Sequence, residues 1–129
     1  MTTRVPAANV RLKRAYERAT RTDGERVLID RLWPRGLKKE AVLMDVWAKE
    51  LAPSTELRKW FGHDPALWDG FRQRYAAELA ESASVWQALA RRSAQEPVTL
   101  LYGARDEAHN DAVALKALME QWLRRHKPR

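Results

Sequence analysis

Two short segments hold most of the side chains in this chain that could do chemistry. They are Asp30-Arg31-Leu32-Trp33-Pro34-Arg35-Gly36 and Tyr102-Gly103-Ala104-Arg105-Asp106-Glu107-Ala108-His109-Asn110. Arg31, Arg35 and Arg105 offer planar, bidentate donors suited to a carboxylate or phosphate. His109 can transfer a proton near neutral pH, and Asp30 or Asp106 could orient it or act as acid or base. Tyr102 and Asn110 add neutral hydrogen-bonding groups. Together they describe a small-anion site, with His109 and Asp30 as catalytic candidates and Arg31, Arg35, Tyr102, Arg105, Asp106 and Asn110 as ligand contacts.

Each residue also has a structural use. Asp106 stands where a helix N-cap belongs. Asp30 could neutralise a nearby arginine, and Tyr102 could close a strand by packing. His63, set among aromatics in Trp60-Phe61-Gly62-His63-Asp64-Pro65, could ligate haem or simply connect two helices. No pair of histidines has metal-ligand spacing, so no other metal site is expected.

The elements that must position these groups follow from periodicity. Val10–Tyr16 alternates apolar and basic residues, as a half-exposed strand does. Asp23-Gly24 signals a turn, and Val27-Leu28-Ile29 reads as a buried strand ending near Asp30. Val98–Tyr102, between Pro97 and Gly103, is the next strand. In between, Leu43, Val46, Trp47 and Leu51 recur at helical spacing, Ser54 can cap a short helix, and Asp64-Pro65 starts another that carries Leu67, Trp68, Phe71, Tyr75 and Leu79. A further helix holds Val85, Trp86 and Leu89, and a last one is expected from about Glu107 with Ala112, Leu115, Leu118, Met119, Trp122 and Leu123 on its buried face.

A buried strand, a helical excursion and a second buried strand followed by a helix make an extended βαβ unit with parallel strands. The expected fold is therefore α/β, with a mainly parallel sheet of about three strands and helices packed around it. The nine residues between Tyr16 and Arg26 favour a hairpin for the first strand, whose direction is left open. If the second and third strands are neighbours, the two chemical segments share one rim, and the last helix aims free N–H groups and its positive dipole end at them.

Size and composition set outer limits. The 129 residues suit one domain over 1–129, with ends 1–9 and 124–129 expected to fray. Absence of cysteine rules out disulfides and thiolate chemistry. With no apolar leader or spanning stretch, a cytoplasmic protein without a membrane partner is expected. The net charge of +7 is concentrated early: residues 1–40 hold eleven basic and five acidic groups. A second use is thus a nucleic-acid or acidic-partner module built on Arg11, Lys13, Arg14, Lys38 and Lys39. Haem bound through His63 or His109 is a third, and beyond that the residues name no cofactor. No G-x-G-x-x-G, Walker loop, G-x-S-x-G or H-E-x-x-H occurs, which removes dinucleotide, nucleoside-triphosphate, serine-hydrolase and zinc-protease readings.

Asp30–Gly36, with Asp23-Gly24 ahead and Ala52-Pro53-Ser54-x-x-Leu57-Arg58-x-Trp60-Phe61 behind, resembles the YeaO-like family, domain of unknown function 488. Leu100–Asp106 followed by His109-Asn110-x-Ala112 is similar to the family's second motif, and the resemblance runs from about Val10 to Trp122. It implies a compact α/β fold. Some longer relatives carry Cys-His-Arg in that second motif, where this chain has Ala108-His109-Asn110.

Overall fold

Strands Val10–Arg14 (β1), Glu25–Leu28 (β2) and Val98–Tyr102 (β4), with a two-residue strand Val46–Trp47 (β3), form one four-stranded sheet. The computed structural model describes residues 8–126. Strand order is β1-β4-β2-β3 and every pairing is parallel. Around the sheet lie α1 (Thr55–Phe61), α2 (Trp68–Leu79), α3 (Ala83–Ser93) and α4 (Asp111–Arg125). The chain is α/β, as the βαβ pattern predicts, with β2 and β4 side by side from Glu25↔Val98 to Leu28↔Leu101.

The hairpin expectation for β1 fails. β4 lies between β1 and β2, so β1 runs parallel to β4 and does not pair with β2. The link through Ala15–Gly24 needs no helix, because ten extended residues reach roughly 33 Å, about twice a five-residue strand. That link ends in a tight turn whose Gly24 has φ +65°, and a Cβ there would lie 2.1 Å from the Pro97 carbonyl oxygen. Only glycine fits beside the entry to β4.

The helix expected over Leu43–Leu51 is instead β3 flanked by two single 3₁₀ turns. Asp45 N–H donates to the Arg26 carbonyl and Ala48 N–H to that of Leu28, both at 2.8 Å, so edge pairing with β2 outcompetes the local helical pattern. Leu43 and Val46 consequently face outward.

Side chains alternate across the sheet. Val27, Ile29, Val98 and Leu100 join the main core with Phe71, Tyr75, Leu115 and Met119, beneath α3 and α4. Leu28 and Leu101 point the other way into a smaller cluster with Ala15 and Val42, packed by Trp33, Leu37, Met44 and Trp47. The Asp30–Gly36 segment thus helps cover the second face of the sheet.

Helix starts are mostly as the capping rules require. The Ser54 hydroxyl accepts from Leu57 N–H, and the Asp64 carboxylate accepts from Ala66 N–H at the turn Pro65–Leu67 that leads into α2. The last helix begins later than expected: Asn110 caps α4, accepting from Val113 N–H, while Asp106 caps only the turn before it. The expectation of frayed ends falls largely outside the described residues, although Arg124 and Arg125 lie within α4. Among the described residues no helix is long and apolar enough to cross a membrane.

Candidate functional site

The C-terminal ends of adjacent parallel strands leave a crevice where connecting loops diverge. Here the loops leaving β2 and β4, with α1 and the start of α4, surround a cleft of about 890 Å3. Asp30, Arg31, Arg35, Arg105, Asp106, His109 and Asn110 all line it, as does His63. Tyr102 does not: its ring lies in the main core, where burial, with Glu107 and Glu17 nearby, pushes its hydroxyl pKa up.

Tryptophan and tyrosine side chains hold the first loop. Trp47 Nε1–H donates to the Asp30 carbonyl at 2.7 Å, and Trp33 Nε1–H closes the loop on the Leu37 carbonyl at 2.7 Å. The two indoles meet edge to face at 5.3 Å, with Lys49 Nζ 4.0 Å from the Trp47 ring centroid. Tyr16 donates its hydroxyl to the Arg35 carbonyl at 2.8 Å. On the facing loop, Arg14 donates to the carbonyls of Ala104 (2.9 Å) and Gly103 (3.3 Å). Both loops are therefore fixed by bonds to their backbone, leaving the side chains of Arg31, Arg35 and Arg105 exposed.

Where β4 meets α4, acids dominate. The Asp30 carboxylate accepts Gly103 N–H at 2.7 Å, and Asp111, also lining the cleft, accepts Ala112 N–H at 2.9 Å. Burial first, then the charge of Asp30 and the hydrogen bond between the two carboxyls, pushes the Asp111 pKa well above the ordinary carboxylate range. The expectation that α4 presents free N–H groups is thereby corrected: the Ala112 and Val113 amides are already bonded to Asp111 and Asn110 side chains.

Asp106 and His109 form a second unit. Asp106 Oδ1 accepts from Ala108 N–H (2.9 Å) and His109 N–H (3.0 Å), while Oδ2 meets His109 Nδ1 at 2.9 Å. The Ala108 N–H bond and the His109 ring hold the Asp106 carboxyl below its usual range. A carboxylate at Nδ1 favours the tautomer that leaves Nε2 as the accepting nitrogen. Trp68 packs against the His109 ring edge on at 5.3 Å.

The lining cations are Arg31, Arg35, Arg58, Lys59 and Arg105. Among the described residues none of these five side chains takes part in an ion pair, whereas Lys13, Arg26, Arg72, Arg92 and Lys116 each meet a carboxylate elsewhere. Of the residues in the alternative basic face, Lys13 is spent on Asp23, Arg14 on the Gly103–Ala104 backbone, and Arg11 on Asn9 and the Thr22 carbonyl. His63 follows the left-handed cap Gly62, itself has φ 58°, and sets its ring 6.3 Å from that of Phe61. Among the described residues no group of three or more His, Cys, Asp or Glu is placed to hold a metal ion.

Sequence reasoning missed Asp111, Arg58 and Lys59. Asp111 directly follows Asn110, so adjacency to the second motif could have found it. Arg58 stands in the segment that carries the family resemblance, but nothing local marks it or Lys59 as a cleft residue, because only the packing of α1 beside the strand ends brings them there.

Comparison with known proteins is consistent along nearly the whole chain. Residues 9–129 match the family model DUF488-N3i, described as the inactive DUF488-N3 subclade. The uncharacterized protein YeaO of Escherichia coli (strain K12) is 44% identical over 116 residues, 90% of this chain and 97% of that protein. Uncharacterized proteins of Mycobacterium bovis and Mycobacterium tuberculosis are each 40% identical over 115 residues, 89% of this chain and 97% of theirs. No solved structure matches significantly.

Proposed function

We propose, since this chain belongs to the DUF488-N3i family, the inactive DUF488-N3 subclade of the YeaO-like DUF488 proteins, that it binds a small anionic ligand in the cleft at the ends of β2 and β4 without turning it over. One observation carries the reading: five exposed cationic side chains, from three separate parts of the chain, line one cavity and pair with no carboxylate among the described residues. Unpaired like charges gathered around a concavity repel one another and raise the local concentration of anions. Arginine in particular recognises phosphate or carboxylate bidentately. The cavity volume falls within the range usual for small-molecule sites.

Two further features support binding over turnover. The chain has no cysteine, so the cleft holds no thiol nucleophile. The family that it matches is described as an inactive subclade. His109 and Asp30 remain the groups through which a proton could move, and the Asp106–His109 bond is the arrangement that such a role would need.

Thermal shift with inorganic phosphate, sulfate and small carboxylates tests the proposal. Wild type is expected to gain stability as RT ln(1 + [L]/Kd), and Arg35→Ala and Arg58→Ala are each expected to reduce the gain without lowering the ligand-free Tm. If no anion raises the wild-type Tm, the reading fails.

A further inference from the structure

Building on the reading of the cleft as an anion site, its charge asymmetry identifies the ligand more narrowly. The cations come from the Asp30–Gly36 loop, from α1 and from Arg105, whereas the strand-end side presents the adjacent carboxyls of Asp30 and Asp111. A bare anion gains nothing on that side. The amides that would have received it, those of Gly103, Ala112 and Val113, are already bonded to Asp30, Asp111 and Asn110. What remains there for a ligand is acceptor oxygen held in place by backbone N–H groups. A ligand reaching from the cations to this pair must therefore bring proton donors at its far end.

We propose that the cleft takes a small zwitterion, a primary amine carrying an anionic group. Its phosphate or carboxylate lies among Arg31, Arg35, Arg58, Lys59 and Arg105, and its ammonium lies on the Asp30–Asp111 pair. Trp33, Phe61 and Phe71 supply apolar and aromatic surface for the carbon chain between the two ends. The ammonium stabilises both carboxylates at once.

Isothermal titration with matched ligands separates this inference from the reading it rests on. Phosphoethanolamine is compared with ethyl phosphate, which has the same anion and no amine, and β-alanine with propionate. Wild type at pH 7 is expected to prefer each amine-bearing ligand by about ten-fold, the worth of one charge-assisted hydrogen bond. Asp111→Asn keeps an acceptor for Ala112 N–H and a donor toward Asp30, and Asp30→Asn is the second variant should the first not fold. In either, the preference is expected to fall to about two-fold or less, with ethyl phosphate binding at least as tightly as it does to wild type because a cleft carboxyl has been neutralised. Ethyl phosphate binding as tightly as phosphoethanolamine overturns the zwitterion and leaves the anion site standing. No binding by any of the four ligands overturns both. The phosphate and carboxylate pairs show which anion the arginines prefer.

Discussion

Asp23 illustrates how a residue that sequence reads only as a turn can carry much of the local energetics. It is 4% exposed and satisfied from every side, by the Thr20 amide at 3.0 Å and hydroxyl at 2.7 Å, by Lys13 Nζ at 3.0 Å, and by Arg26. Burial works to raise its pKa, but these partners together hold it far below the usual carboxylate range. A carboxyl whose pKa is depressed on folding contributes stability that is present above its unfolded value, near pH 4, and lost as pH falls toward the folded one. Removing it leaves Arg26 buried without its charge partner, at a cost of about 3 kcal/mol. Urea unfolding of Asp23→Ala should show that loss at pH 7 and a shallower decline in stability between about pH 5 and pH 2 than wild type. Equal acid slopes in the two proteins would show that Asp23 is not responsible.

At the scale of elements, β3 is the piece that makes the first loop rigid. Its two residues add a short edge to the sheet, and in that position Trp47 both donates to the Asp30 carbonyl and packs on Trp33. Trp47→Phe keeps the aromatic surface and removes the N–H, so the part-buried Asp30 carbonyl loses its donor at a cost of about 1–3 kcal/mol. Because Arg31 and Arg35 follow that carbonyl, the variant is expected to show a smaller thermal shift with phosphate than wild type, in addition to a lower ligand-free Tm. Leu43→Ala, which alters an exposed side chain on the same segment, should change neither. A normal phosphate response in Trp47→Phe would mean that the loop is held by its other contacts, Trp33 to Leu37 and Tyr16 to Arg35.

For the whole molecule, the sheet is unequally protected. β4 is flanked on both sides and buried along its full length, under α3 and α4 on one face and the smaller cluster on the other. β3 lies at an edge and rests on two residue pairs. Local opening free energies should follow that order. Native-state hydrogen exchange is expected to release the amides of Leu100 and Leu101 only on global unfolding, and those of Asp45 and Ala48 in a smaller opening of lower free energy. Matching free energies at these positions would make β3 and the loop it supports part of one cooperative unit with the central strands.

The linear order of residues was enough to give the α/β class, the buried strands at Val27–Ile29 and Val98–Tyr102, the caps at Ser54 and Asp64, and the two loops bordering the cleft. Those features depend on local periodicity and on the conformations open to Pro, Gly and capping side chains, all of which a neighbourhood of a few residues contains. Insertion of β4 between β1 and β2, and the pairing of Val46–Trp47 with β2, depend on competition among distant strands for the same backbone hydrogen bonds, which no local pattern records. The same holds within the cleft. That Arg35 and His109 border one cavity followed from parallel adjacency, once assumed. That Asp30 meets Asp111, that the α4 amides are already occupied, and that Arg58 and Lys59 join the rim came from packing in three dimensions.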